Sequence, residues 1–157
     1  MPHPVRGAHA LAPRWAALLP PAYLAHLCEE WWGGPGFAAW AALTMGMDVS
    51  PSRFLAINAV ALPLFAVTTV AALRSARFGW LAAALATLLF VNGCLHLLAT
   101  AVFATYSPGV VTGALLYLPL GGLVCRSMSR SLSAPVFAGA VAVGVAAHAV
   151  VVVAALA

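Results

Sequence analysis

Short polar breaks divide the chain into long runs that carry no charge. Four stand out, at roughly 54 to 73, 78 to 104, 110 to 125 and 132 to 157. Each predicts a helix able to cross a bilayer, since about 20 residues rising ~1.5 Å apiece cover a hydrocarbon core of ~30 Å. A fifth run, Trp15 to Trp32, contains Pro20-Pro21 and ends near Glu29 and Glu30. It spans if it kinks near the prolines, and otherwise is a half-helix starting at Pro20. Beyond the glycine-rich break "WWGGPG", Phe37 to Met47 is too short to cross and reads as an interfacial or re-entrant helix. The expected fold is all-α: a polytopic membrane helix bundle of about five transmembrane helices plus that short helix. It forms a single membrane-embedded domain over 1–157, with an N-terminal tail of about residues 1–12.

Composition supports the bilayer. The chain is 64% hydrophobic and only 6% charged, where a soluble domain carries about a quarter charged residues. All seven basic residues are arginine, scattered at the ends of apolar runs, so the net charge of +4 marks topology and not a nucleic-acid surface. If five spans alternate, Arg6, Arg14, Arg74, Arg77, Arg126 and Arg130 fall on one side, with Arg53 and Asp48 on the other. The positive-inside rule then predicts a cytoplasmic N-terminus and an external C-terminus, with Trp31 and Trp32 at the outer interface. Cys28, Cys94 and Cys125 fit no redox or zinc spacing and read as small buried apolar side chains. The N-terminus lacks a cleavable signal and is expected to be retained; His3 and His9 in it read as solvated.

The polar residues inside the spans gather at one level. Counting from the cytoplasmic end, His26 lies roughly 18 Å deep, Glu29 and Glu30 roughly 23 to 25 Å, Asn92 roughly 20 Å and His96 roughly 26 Å. Asn58, Tyr117 and His148 fall at similar depth. His26, Glu29 and Glu30 stand at i, i+3 and i+4, so both carboxylates flank the imidazole; Asn92, His96 and Thr100 repeat at i+4 as a second stripe. Ionised glutamates inside a span cost ~3 kcal/mol apiece and need partners, which makes them a functional-site hypothesis.

These residues carry a resemblance. "HLCEE" (His26, Glu29, Glu30), then "NGCLH" (Asn92, His96), then "YSPG" (Tyr106 to Gly109) resembles the family of bacterial integral membrane proteins named for an HXXEE motif, over roughly residues 22 to 128. The resemblance implies a bacterial plasma-membrane protein and which residues matter; it supplies no reaction. His148 lies outside the motifs.

Imidazoles with carboxylates suit a divalent metal of the iron, manganese or zinc kind, with His26, Glu29, Glu30 and His96 as candidate ligands, His148 as a further one, and Asn92 or Asn58 orienting a ligand. The same set, His26, Glu29, Glu30, Asn92 and His96, serves a metal-free acid/base enzyme of isomerase or cyclase type, with Tyr23, Trp31 or Trp32 stabilising positive charge through their rings. The reading is an integral membrane enzyme, including the oxidoreductase type, acting on a lipophilic small molecule among membrane lipids. The alternative is a small transporter or proton relay; against it, "WLAAALATLLFV" shows no polar stripe leading inward and no inverted repeat is evident. Asn58, Thr100, Tyr117 and His148 taken singly read as interhelical contacts, and "YSPG" as a turn formed by Pro108 and Gly109, with Tyr106 placed to cap the outer mouth of the site.

Overall fold

The computed structural model describes residues 7–157; Arg6 and His3 lie outside them. Among the described residues the chain is helical, with no strand. Helix α1 covers Leu19–Trp32, led by a 3₁₀ turn over Arg14–Leu18. Helix α2, Phe37–Trp40, continues as a π turn over Ala41–Met45. Then come α3, Pro51–Arg74, α4, Trp80–Phe103, α5, Val110–Ser131, and α6, Ala134–Leu156. Helices α3 to α6 are long and apolar enough to cross a membrane, consistent with an integral membrane protein.

The first run differs from the other four. At 14 residues, α1 is shorter than the ~20 needed to span; with its leading 3₁₀ turn the helical segment extends about 30 Å. The α-helix begins at Leu19, so Pro20 and Pro21 sit in its first turn, where their missing N–H groups forfeit no intrahelical bond. The disturbance expected at the prolines is therefore a change of helix type just ahead of them. Helix α2 is too short to cross, as its sequence predicts.

Helix α5 is also irregular. Pro119 cannot donate to the carbonyl of Leu115, and its ring crowds that carbonyl. The strain coincides with a π turn over Gly113–Tyr117, which ends on a fully buried Tyr117. Helix α5 also runs past the expected end at 125 to Ser131, carrying Arg126 and Arg130 on its last turns.

Helix α4 is the centre of the bundle. Its small residues let neighbours approach closely: a Cβ on Gly93 would lie 3.1 Å from the Gly113 carbonyl oxygen of α5. Ala82, Ala83, Ala86 and Leu89 of α4 join Val124 and Met128 of α5 and Ala140 of α6 in one core. A second cluster, Trp40, Ala41, Val49 and Phe54, closes the far end.

Both cores are built of hydrophobic side chains, and the polar layer lies between them. Residues 7–12 rest on the first core: Ala12 N–H donates to Ala72 O and Ala10 N–H to Ala76 O, both at 3.1 Å, and Ser133 N–H donates to Gly7 O at 2.9 Å. His9 is exposed. This end also carries Arg14, Arg74, Arg77, Arg126 and Arg130. Arg53 is at the other end, where its guanidinium donates to the Ala155 carbonyl of α6 at 3.4 Å.

Candidate functional site

His26 and Glu30 are one turn apart on α1, and His96 faces them from α4. Glu30 Oε1 lies 3.5 Å from His26 Nε2 and 3.2 Å from His96 Nε2. One ligand atom from each residue falls within 4.8 Å of the others. In a tetrahedral site with bonds of about 2.0–2.2 Å, ligand atoms stand roughly 3.3–3.6 Å apart. The two His–Glu separations are close to that spacing, so the three side chains could hold a metal ion.

Aromatic packing fixes the imidazoles. Tyr117 stacks on His26 with ring centres 4.2 Å apart, and His96 meets His26 edge-on at 4.9 Å. On the other side stands Gly109, whose φ of +105° suits glycine. A Cβ there would fall 2.7 Å from His26 Cε1 and 2.8 Å from His96 Cε1. The turn "YSPG" is thus a wall of the site as well as a connection, with Ser107, Pro108 and Gly109 all buried.

Glu29 is not part of the trio. Its carboxylate turns to the start of α5, where it accepts from Val111 N–H at 3.0 Å, Thr112 N–H at 2.7 Å, the Thr112 hydroxyl, and the Tyr106 hydroxyl at 2.7 Å. A helix N-terminus favours such an anion. Burial and the Glu29 carboxylate push the Tyr106 phenol up to about 12, which keeps it a donor.

This bonding decides the His26 tautomer. Four donors around two oxygens leave Glu29 acceptor-only, so the Thr112 hydroxyl must spend its one proton on it. Thr112 Oγ1, 2.8 Å from His26 Nδ1, then accepts from that nitrogen. A neutral His26 therefore carries its proton on Nδ1 and turns a bare Nε2 toward Glu30, and that buried Nε2 has no hydrogen-bond partner. His96 Nδ1 is held by Ser107 Oγ at 3.0 Å, and Ser107 N–H donates to Thr100 Oγ1 at 3.3 Å.

A family model described as "Protein of unknown function with HXXEE motif" matches residues 17–124, more than half of the chain. The chain belongs to the HXXEE family. No curated protein and no solved structure matches it. The matched stretch takes in His26, Glu29, Glu30, Asn92, His96, Gly109 and Thr112, while His148 lies beyond it.

The HXXEE protein has a half-open cavity of about 450 Å³ beside the trio. All five long helical segments contribute a polar residue to its lining, as the depth count predicts: Tyr23 and Glu30 from α1, Asn58 from α3, Asn92 from α4, Tyr117 from α5 and His148 from α6. Of the ring candidates, Tyr23 lines this cavity and Trp31 and Trp32 do not. Asn58 makes the interhelical contact expected of it, accepting from the Tyr23 hydroxyl.

Three polar groups depart from expectation. Tyr117 OH and His148 Nε2 make no interhelical bond; both are buried without a partner. Asn92 Oδ1 is likewise unpartnered, so it orients neither imidazole; Thr112 and Ser107 do. His148 stands outside the trio. Cys94 is exposed on the outer face of α4, and all three cysteines are free.

Ser107, Gly109 and Thr112 were not legible as site residues, because a hydroxyl residue or a Pro-Gly pair at a helix start reads first as a turn. The available signal was proximity: "YSPG" begins six residues, and Thr112 stands twelve residues, after Thr100 at the end of the second stripe.

Proposed function

We propose that this HXXEE protein is a membrane-embedded enzyme that holds a divalent metal, of the iron, manganese or zinc kind, at His26, Glu30 and His96. Its substrate is a lipophilic small molecule in the adjoining cavity. One observation carries this reading: the bare Nε2 of His26 faces the Glu30 carboxylate 3.5 Å away, with nothing between them to donate. A buried lone pair opposite a carboxylate is uncompensated, and a cation relieves both. Three protein ligands also leave a coordination position for substrate or water.

A metal there would supply Lewis-acid or redox chemistry; the chain orients the ligands through Thr112 and Ser107 and surrounds them with aromatic and aliphatic walls. The metal-free reading, an isomerase or cyclase moving a proton between Glu30 and an imidazole, uses the same side chains. A transport path has less support, since the core beneath the cavity is filled by Ala82, Ala83, Ala86, Leu89, Val124 and Met128. The arginine-bearing end supports a cytoplasmic N-terminus, which puts the centre in the outer half of the membrane.

Elemental analysis of the purified protein, as isolated and after loading with Fe²⁺, Mn²⁺ or Zn²⁺, tests the metal. Stoichiometric binding by wild type, lost in His26→Ala and His96→Ala, is expected. Wild type that takes up none of the three ions and keeps its activity in chelator sinks the metal and leaves the acid/base reading.

A further inference from the structure

We propose that Asn92, Tyr117 and His148 form a second station in the cavity, distinct from the metal ligands, which binds the hydroxyl head of a long-chain alcohol or other hydroxyl-headed lipid. The proposal rests on reading the cavity as a substrate site. Tyr117 is 1% exposed and His148 7%, yet neither Tyr117 OH nor His148 Nε2 has a partner, and Asn92 Oδ1 has none either. Unpaired buried polar atoms cost free energy, and the three residues that carry these all line one cavity, which calls for a ligand.

The three meet at one level. Asn92 is one turn before His96 on α4, and the Gly93 beside it would put a Cβ 3.2 Å from Tyr117 Cβ. Gly144 of α6 abuts Thr87 of α4, and His148 follows Gly144 by one turn as Asn92 follows Thr87 by little more. The head therefore sits about one helical turn from the trio, beside the residues that would hold the metal.

The donors and acceptors select the head. Asn92 Oδ1 only accepts, whereas the Tyr117 hydroxyl can donate. A hydroxyl serves both: it donates to Asn92 Oδ1 and accepts from Tyr117 or His148. A carbonyl would leave Asn92 Oδ1 unpaired. A carboxylate or phosphate would bring negative charge toward Glu30, and no arginine lines the cavity among the described residues. The rest of the lining takes the hydrocarbon tail: Val151, Val152 and Leu156 of α6 with Val102 and Phe103 of α4. These residues are also exposed on the outside of the bundle, so the tail reaches the bilayer through the wall they form.

The test is photolabelling of protein in lipid nanodiscs with a diazirine-bearing hexadecanol, run both with metal and in chelator. Expected is saturable labelling at Val102, Phe103 and residues 151 to 156, displaced by hexadecanol and at least tenfold less well by hexadecanoic acid. Tyr117→Phe and His148→Phe should each weaken binding about fivefold to tenfold, the effect of one lost buried hydrogen bond, and His148→Gln should recover part of it. Size-exclusion profiles matching wild type verify folding of each variant. Non-saturable labelling, equal displacement by the acid, or undiminished affinity in both phenylalanine variants overturns the station. The two readings fail separately: saturable labelling in a protein that never binds metal defeats only the metal centre, and metal binding with non-saturable labelling defeats only the station.

Discussion

Glu30 Oε1 lies 3.2 Å from His96 Nε2, joining α1 to α4 across residues 66 positions apart in the chain. Glu30 is the one carboxylate between two imidazoles, so it supplies the negative charge of the centre. Glu30→Gln keeps the shape and removes that charge. Metal affinity should fall by more than the 10–100-fold typical of losing an outer partner, measured by competition with a chelating dye. Unchanged affinity would remove Glu30 from the ligand set.

Thr112 would act on a metal held at the trio through His26. Its hydroxyl stands between the Glu29 carboxylate and His26 Nδ1 and fixes the proton on that nitrogen. Thr112→Val keeps the volume and loses the bond, so metal affinity should fall about 10–100-fold while Thr112→Ser restores it. Nitrogen-15 NMR of His26 should show the Nδ1–H tautomer in metal-free wild type and a mixture in Thr112→Val. An unaltered tautomer in the valine variant would show that Thr112 only packs. Glu29→Gln, which lets the side chain donate as well as accept, should show a milder loss of the same kind.

Gly109 has a steric requirement. Its φ of +105° is strained for any side chain, and a Cβ would reach both imidazoles at under 3 Å. Gly109→Ala should separate His26 from His96, abolish metal uptake and cost roughly 2 kcal/mol or more of stability. Thermal melts beside metal analysis read both effects. Gly46, with φ +66° and open space around it, is the control: Gly46→Ala carries backbone strain alone and should leave metal uptake intact.

The sequence made the long helices legible because uncharged, mostly apolar runs of 16 to 27 residues suit membrane-crossing helices. It also made the His26–Glu30–His96 meeting legible, through an i, i+4 pair and a depth count on two helices. It could not say which of Glu29 and Glu30 faces inward. Both lie near His26 on the helix surface, and the choice is made by the start of α5, which attracts Glu29 with two backbone N–H groups and two hydroxyls. Nor could it show that Tyr117 and His148 lack partners, since a polar residue on a helix looks alike whether its partner is a neighbour or a ligand. The placement of Tyr117 follows a π turn, which breaks the 3.6-residue periodicity on which face assignments depend.

Arg53 and Ala155 tie the start of α3 to the end of α6, at the opposite end of the bundle from Arg14, Arg74, Arg77, Arg126 and Arg130. Arginines next to spans resist translocation, so the end that holds five of them should stay in the cytoplasm and the end of α6 should face outward. In a variant whose three cysteines are replaced by alanine, a cysteine added after Ala157 should react with a membrane-impermeant maleimide in intact cells. Ser131→Cys, exposed at the arginine-bearing end, should react only after permeabilisation. Replacing Arg74, Arg77, Arg126 and Arg130 together by alanine removes most of the bias and should yield a mixture of both patterns. The reverse pattern in the first two variants would invert the bundle and put the His/Glu centre in the cytoplasmic half of the membrane, with its geometry unchanged.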